Sequence, residues 1–84
     1  MATLTTKLDL EEGIWQEVGA ESIDAQKDPS STIELVNADA LPVGDVPEAM
    51  MYAQTTQIRL QAPASGSLYV RVRYGTGTLK FYEV

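Results

Sequence analysis

The sequence contains neither cysteine nor histidine. Without cysteine the chain has no disulfide bridge and no thiolate metal ligand, and without histidine it lacks the commonest general base and transition-metal ligand. Carboxylates alone can catalyse glycoside hydrolysis, but the acidic residues here stand mostly in turn-like stretches or beside other charges, as in residues 9–12. We therefore expect no enzymatic activity, no cofactor and no metal centre.

Long apolar runs are also absent, and basic residues are few. No stretch approaches the roughly 20 apolar residues of a membrane-spanning helix, and the N-terminal residues lack the basic start and apolar run of a signal peptide. The net charge is −6, from twelve acidic and six basic residues. It disfavours nucleic acid, because phosphate neutralisation dominates that affinity. We expect neither a membrane nor a nucleic acid as partner.

Calcium is the ion that the acidic residues suit best, because it prefers oxygen ligands. Asp24 with Asp28, or Asp39 with Asp45, are the candidate ligand pairs. The repeated acidic positions of a calcium-binding helix–loop–helix are missing, however. Solvated acidic turns are therefore the interpretation that we favour.

The small size and the uneven charge favour self-association. A chain of 84 residues buries only about 60–65% of its unfolded surface, so its core is thin and gains from association. Residues 1–57 carry eleven acidic and two basic residues, a net of −9, whereas residues 58–84 carry one acidic and four basic residues, a net of +3. Copies could pair through these opposite charges, or the two halves could pair within one fold. We expect a homotrimer or another closed oligomer.

Polar and apolar residues alternate over three stretches of the C-terminal third, 55–62, 67–74 and 78–83. Such alternation is typical of half-buried strands, and the short glycine-bearing stretches between them are typical of hairpin turns. We predict a three-stranded antiparallel meander over 55–83. Its inward-facing residues are Ile58, Leu60, Leu68, Val70, Val72, Leu79 and Phe81.

The N-terminal half gives weaker signals. Residues 13–18 and 31–37 have strand-like composition, and residues 21–26 indicate a shorter strand. Residues 1–12 form either an edge strand or an N-terminal arm. Several strands of this kind, separated by turn signals, extend the β prediction over the whole chain.

Residues 37–54 contain Pro42, Gly44 and Pro47 and predict a long loop, because proline breaks a central strand. One helical turn over 47–52 fits the proline at its start. A long loop in a compact domain is usually functional or ordered by a partner. The whole pattern predicts one all-β domain over residues 1–84, a small β-sandwich or barrel of six to seven short antiparallel strands.

Arginine and tyrosine gather on the outward face of the predicted meander. Both residue types are enriched in the hot spots of protein interfaces, so we take them as candidate partner contacts. Single-stranded nucleic-acid platforms use the same residue types, and an ordinary solvated sheet face is the plainest alternative. The candidates are Arg59, Tyr69, Arg71, Arg73 and Tyr82.

Two other features are candidates for packing or binding. Trp15, the only tryptophan, follows Ile14, so one of the two should face inward. Core packing is the favoured role of Trp15, and a stacking platform for sugar is the alternative. Met50, Met51 and Tyr52 form an adaptable apolar cluster, which either covers the core or inserts into a neighbouring protein as part of an interface.

Three segments carry a resemblance, in the order in which they occur. They are residues 14–19 around the early tryptophan, the strand-like stretch 32–37, and the ending 67–84 with its glycine-bearing hairpin. In this combination the chain resembles small β-structured virion proteins of tailed phages, of the capsid decoration or cement type. The resemblance implies a structural protein, often a trimer, that is made in the host cytoplasm. On the surface of the phage head it would then bind and stabilise the major capsid protein shell.

The resemblance carries over no catalytic or interface residue, and residues 37–54 depart from it. Two other functions stay open: a receptor- or glycan-binding β module of a phage tail or cell surface, and a bacterial regulatory or toxin-inhibiting protein. An exposed aromatic platform around Trp15 would favour the first, and binding to one host enzyme would favour the second. A closed trimer with protruding termini would favour decoration of a capsid.

Overall fold

The computed structural model describes residues 5–54 and 56–84. All regular structure in this part of the chain is β-strand, and every strand pairs antiparallel with its neighbours. The described residues include no helix that is long and apolar enough to cross a membrane. The strands are β1 (Thr6–Glu11), β2 (Gln16–Gly19), β3 (Ile23–Lys27), β4 (Ile33–Ala38), β5 (Met50–Tyr52), β6 (Gln57–Leu60), β7 (Ser67–Val72) and β8 (Thr76–Glu83).

The eight strands form two sheets of four that share one core. Sheet A has the strand order β1-β8-β3-β6, and sheet B has the order β2-β7-β4-β5. Each sheet keeps two edge strands, so the arrangement is sandwich-like and not a closed barrel. The predicted all-β class is confirmed. The buried core residues are Leu10, Ile23, Ala25, Ile33, Leu35, Ile58, Leu68, Val70, Val72, Leu79 and Phe81.

The predicted meander over 55–83 is wrong, although its three strands exist as β6, β7 and β8. β6 pairs with β3, β7 lies between β2 and β4, and β8 lies between β1 and β3. The connections 61–66 and 73–75 therefore carry the chain from one sheet to the other, instead of to a neighbouring strand. Residue 55, the first of the predicted range, lies outside the described residues.

Alternation nevertheless predicted the inward side chains correctly. Six of the seven inward residues are buried in the core, and Leu60 is half-buried against it. The described residues contain eight strands instead of the predicted six to seven. One of them, β5, is formed by Met50–Tyr52 inside the predicted loop 37–54. The helical turn predicted over 47–52 is therefore wrong. β1 is an edge strand of sheet A, whereas residues 1–4 of the N-terminal arm lie outside the described residues.

The outer face of sheet B is covered by the chain's own loop. Residues 39–49, which we call the strap, follow β4 and lie over β7. Gly44 and Asp45 of the strap accept hydrogen bonds from Arg71. Tyr69 and Arg71 are buried although their neighbours in β7 face the core. β7 is thus buried on both faces, in contrast to the half-buried strand that its alternation predicts.

A buried lysine joins two connections between the strands. Lys27, the last residue of β3, donates hydrogen bonds from Nζ to the main-chain carbonyls of Asp28 (3.0 Å), Ser31 (2.6 Å) and Ala53 (2.6 Å). An ammonium group has three donors, so all of them are used. The bonds tie the turn between β3 and β4 to the connection between β5 and β6.

The connection between β6 and β7 depends on a glycine. Gly66 has φ of +73°, and a Cβ atom at this position would overlap the main-chain carbonyl of Ala38 at the end of β4. Gly75, between β7 and β8, has a similar φ of +68°, but a Cβ atom there would meet open space. The two glycines therefore share the same backbone conformation and differ in the room available for a side chain.

We expect Gly66→Ala to lower the free energy of unfolding by about 2–4 kcal/mol, because left-handed strain adds to displacement of the Ala38 backbone. Gly75→Ala is the matched control, and its loss should stay near the ~1–2 kcal/mol of left-handed strain alone. Urea denaturation followed by circular dichroism measures both. Equal losses for the two variants would contradict the close approach of Gly66 to Ala38.

Candidate interaction surfaces

The strap is held to sheet B by a buried arginine. Nε of Arg71 donates to Oε1 of Glu34 at 2.7 Å, and Nη2 donates to Oδ1 of Asp45 at 2.7 Å. Nη1 donates to the carbonyl of Gly44 at 3.2 Å, and the indole N–H of Trp15 donates to the same carbonyl at 2.8 Å. The guanidinium carbon lies 4.7 Å from the centre of the Trp15 ring. We call these five residues the clasp.

The clasp satisfies the charges that it buries. Arg71 and Glu34 stand directly opposite each other on β7 and β4, and their side chains are only 6% and 5% exposed. Glu34 meets a second cation, since Nη1 of Arg73 lies 3.4 Å from Oε2. No buried side-chain polar atom in the described residues lacks a hydrogen-bond partner. A buried ion pair requires such complete pairing, because desolvation of its charges is costly.

Asp45 is the solvent-exposed member of the clasp. Its side chain is 83% exposed, whereas the arginine that it binds is buried. The hydrogen bond from Arg71 and its positive charge hold the pKa of Asp45 below the ordinary value of 3.8. The same hydrogen bond raises the pKa of Arg71. The carboxylate form of Asp45 is therefore favoured wherever the strap is closed.

Trp15 and Ile14 do face opposite ways, as their adjacency predicts. Trp15 is buried under the strap, and Ile14 is exposed. The ring of Trp15 packs against Arg71 on the outer face of sheet B, not among the residues of the central core. It therefore offers no exposed platform for stacking a sugar.

The strap and β5 carry the exposed apolar residues on this side of the molecule. Met50 and Met51 are 62% and 61% exposed, and Val43 is 92% exposed. β5 is an edge strand of sheet B, so one side of its backbone has no strand partner in the described residues. Tyr52 is half-buried and packs against the core. We call Leu41, Val43, Met50 and Met51 the β5 surface.

The pairing of β5 with β4 sets the direction of its two methionines. Met51 stands opposite Glu34, so its side chain lies on the outer face of sheet B beside the clasp. Met50 stands opposite the core residue Leu35, and therefore lies on the inner side of the same edge. The two methionines thus cover both sides of one exposed edge.

A second surface lies on the outer face of sheet A, where polar side chains of three neighbouring strands form a shallow groove. In one row Asp24 of β3 stands between Tyr82 of β8 and Arg59 of β6. In the next row Gln26 stands between Lys80 and Gln57. The depression has a volume of about 560 Å³. We call it the sheet A groove; its polar side chains are Thr5, Asp24, Gln26, Gln57, Arg59, Lys80 and Tyr82.

The carboxylate of Asp24 organises one row of the groove. It accepts hydrogen bonds from Nε and Nη2 of Arg59 at 2.6 and 3.2 Å, and from the hydroxyl of Tyr82 at 3.0 Å. The Arg59 hydrogen bond is the main cause that lowers the pKa of Asp24. The hydrogen bond to Asp24 in turn raises the pKa of Tyr82. The tyrosine hydroxyl and the guanidinium group therefore bind the same carboxylate.

The five predicted contacts of the meander face do not form one surface. Arg59 and Tyr82 meet in the sheet A groove, but Tyr69 and Arg71 are buried on sheet B. Arg73, just after β7, lies beside the clasp and over the ring of Tyr74. The prediction of a shared platform is wrong because the strands that carry these residues belong to different sheets.

Three of the four candidate calcium ligands, Asp24, Asp28 and Asp45, are engaged in other contacts. Asp28 accepts hydrogen bonds from the amide of Thr78 and the hydroxyl of Ser31, both at 2.8 Å. Burial opposes its ionisation, but these hydrogen bonds lower the pKa of Asp28. Asp24 and Asp45 bind arginines. Residues 5–54 and 56–84 contain no cluster of three side chains placed to hold a metal ion.

The sequence did contain a signal for the clasp that its alternation obscured. Glu34 stands between Ile33 and Leu35 in β4, and Arg71 stands between Val70 and Val72 in β7. Strands with one solvated face show the same pattern, a single charged residue between two apolar ones. Only the irregular strap, which has no periodic pattern, distinguishes a buried pair from a solvated one.

Comparison with protein-family models, with curated proteins and with solved structures gives no match to this chain. The two surfaces are therefore assigned from geometry and charge alone. One is an apolar edge beside a buried ion pair. The other is a polar groove on the opposite sheet.

We expect Arg71→Met to destabilise the domain by roughly 2–3 kcal/mol, because it leaves the carboxylate of Glu34 buried with a single weak partner. This loss is below the ~3–5 kcal/mol of a deeply buried pair, since the site lies under the strap and the Trp15 ring on the outer face of sheet B and not in the central core. Replacing Glu34 by Met as well should recover much of the loss, since two apolar residues can replace an ion pair. Urea denaturation followed by circular dichroism measures the three stabilities.

The matched control is Arg59→Met, which removes an arginine from an exposed ion pair with Asp24. Exposed pairs contribute little, so this variant should unfold close to the parent. A similar loss for the two arginine variants would contradict the clasp as the interaction that holds sheet B closed.

Acid should open the strap. The clasp gains stability from Asp45 at any pH above 3.8, and loses it as the pH falls through the lowered pKa of the folded state. Because Trp15 is the only tryptophan, acrylamide quenching of its fluorescence reports the opening. We expect quenching to rise below about pH 4 while the far-ultraviolet circular dichroism stays β-like.

Asp45→Asn should show the higher quenching already at pH 7. Asp24→Asn is the control, since Asp24 has a lowered pKa but lies on sheet A, and it should keep the parent's acid response. If Asp45→Asn and the parent are quenched equally at pH 7, the Asp45 contact does not hold the strap.

Proposed function

We propose that this domain is a non-catalytic structural protein that decorates the head of a tailed phage. In this proposal it assembles as a closed homo-oligomer, such as a trimer, and binds the major capsid protein. The observation that carries the proposal is the β5 surface, an exposed apolar edge on a strand with one free side. The resemblance of residues 14–19, 32–37 and 67–84 to phage decoration proteins supports the phage head as its location.

Covering the β5 surface with another protein is favourable for two reasons. Removing apolar side chains from water gains about 25 cal/mol for each Å² that is buried, and Met50 and Met51 are mostly exposed. No strand in the described residues pairs with the other side of β5, so a strand of a second protein can bind its main-chain groups there. Methionine side chains are flexible and adapt to the surface that they meet.

The charges around the β5 surface indicate what its partner offers. The strap carries the exposed acidic residues Asp39, Asp45 and Glu48 beside its apolar ones. Stable interfaces have an apolar centre and a polar rim, so an apolar patch with basic residues around it is the complementary surface. The clasp holds the strap in place before binding, which lowers the cost of ordering it on contact.

The segments that carry the phage resemblance also build the clasp. Residues 14–19 contain Trp15, residues 32–37 contain Glu34, and residues 67–84 contain Arg71. The strap lies outside these segments, and it is the part of the chain that departs from the resemblance. In this proposal the segments that carry the resemblance hold the strap, and the strap meets the capsid.

We expect Met50→Ser with Met51→Ser to abolish self-association and attachment to phage heads, because the apolar centre of the interface is lost. Light scattering after gel filtration should give a multiple of 9.2 kDa for the parent and the single-chain mass for the variant. Mass spectrometry of purified particles from a phage that carries the gene should detect the parent chain and not the variant.

The control is Tyr74→Ser with Val84→Ser, which removes two exposed apolar residues that lie outside the β5 surface. This variant should assemble and attach like the parent. A parent that stays a single chain at high concentration, and is missing from the particles, would reject the proposed function. If the parent and the methionine variant each assemble equally well, the β5 surface is rejected as the contact, but the proposed function is not.

A further inference from the structure

We propose that two copies of this domain join through β5, which pairs antiparallel with β5 of the second copy about a two-fold axis at Met51. Sheet B then continues from one copy into the other. The inference rests on the proposed function, because it takes the β5 surface as the contact between copies and specifies how that contact is made. It uses the strand itself and leaves the strap residues Leu41 and Val43 to the capsid protein.

Three of the four edge strands in residues 5–54 and 56–84 carry features that discourage pairing with another chain. β2 has an irregular register between Glu17 and Gly19, and β1 and β6 expose charged side chains. Bulges and charges are the usual means of blocking a sheet edge. β5 has neither, since it consists of Met50–Tyr52. The exposed charged residues are Lys7, Asp9 and Glu11 on β1 and Arg59 on β6.

The short sequence of β5 is complementary to itself in the antiparallel direction. With the axis at Met51, this residue stands opposite its own copy, and Met50 stands opposite Tyr52 of the second copy. Met50 and Tyr52 lie on the inner side of the edge, and Met51 lies on the outer side. Every cross-strand pair is then apolar, and the sulfur of methionine packs favourably against an aromatic ring.

This register is also the one that pairs all three residues of β5. An axis at Met50 or at Tyr52 would leave one residue of each strand without an opposite residue. A three-residue strand forms few main-chain hydrogen bonds, so the apolar side chains supply most of the affinity. Met50 and Met51 are 62% and 61% exposed, and both therefore have surface to bury.

The two ends of β5 differ in charge. Glu48 lies just before the strand, and Asp39 follows β4, whose end lies beside the start of β5. At the other end Lys27 donates a hydrogen bond to the connection that follows β5, and Arg73 donates one from its main chain to the residue before β4. Asp28 adjoins Lys27 there. The start of β5 is therefore acidic, and its end is more basic.

Antiparallel pairing brings these unlike ends together. The acidic start of β5 in each copy lies beside the more basic end of β5 in the other copy. The two copies of Glu48 lie at opposite ends of the pair, roughly 15–20 Å apart at the rise of an extended strand. This separation exceeds the screening length of roughly 8–10 Å at physiological salt. Between the ends, Glu34 and Asp45 are already bound to Arg71.

Disulfide cross-linking through a single cysteine on the axis tests the pairing. The chain has no cysteine, and Met51→Cys places one opposite its own copy, where facing Cβ atoms are about 4.5–5.5 Å apart. Val43→Cys is the matched control, since Val43 is 92% exposed on the same surface but lies off the axis. Under mild oxidation Met51→Cys should form a covalent dimer at least about tenfold faster, as measured on non-reducing gels.

Met51→Lys tests the same contact without oxidation. It sets two like charges directly opposite each other, which is unfavourable across a strand pair. Val43→Lys adds the same charge away from the axis. In sedimentation equilibrium the parent and Val43→Lys should approach twice 9.2 kDa as the concentration rises, and Met51→Lys should stay at 9.2 kDa. Circular dichroism confirms that the variants are folded.

Equal cross-linking rates for the two cysteine variants would overturn the two-fold pairing, and so would a parent mass of one or three chains at high concentration. A two-fold contact closes a dimer, whereas a ring of three needs two different contact surfaces. The proposed function is judged separately, by whether the chain is present on purified phage particles. A trimer that attaches to phage heads would therefore reject the pairing of β5 and leave the function standing.

Discussion

The ion pair between Arg71 and Glu34 determines how one whole face of this domain is arranged. Both charges lie on the outer face of sheet B, and the outer face of a sheet is ordinarily exposed to solvent. Once they are buried, each of the three guanidinium nitrogens needs an acceptor, because an unpaired buried charge costs several kcal/mol. The strap supplies the two acceptors that are missing, the carbonyl of Gly44 and the carboxylate of Asp45. The position of the strap and the burial of Trp15 beneath it are consistent with this requirement.

The two sheets consequently present opposite kinds of surface. The strap lies over sheet B, and exposed apolar side chains lie on the strap and on the edge strand β5. The outer face of sheet A has a polar groove that is lined by Tyr82, Gln26, Gln57 and Lys80 among others. The two surfaces share no residue.

The sequence predicts the inward side chains of this fold but not the neighbours of its strands. Val70 and Leu79 are buried as alternation requires, because a strand in either sheet turns its apolar face to the same core. The glycine-bearing connections beside Gly66 and Gly75 look alike whether they close a hairpin or cross between sheets, so the meander was a reasonable but wrong prediction. The candidate site was predicted only in part. Arg59 and Tyr82 do meet, whereas the burial of Arg71 depends on a strap that has no periodic pattern.

The cage of carbonyls around Lys27 has a practical consequence for chemistry on this protein. The chain has three lysines, and the ammonium group of Lys27 is fully engaged by main-chain oxygens. Amine-directed reagents that act on the folded domain therefore modify Lys7 and Lys80, which both lie on the outer face of sheet A. A dye, a cross-linker or a solid support attached through lysine will occupy that face. The β5 surface, which contains no lysine, will point away from the attachment.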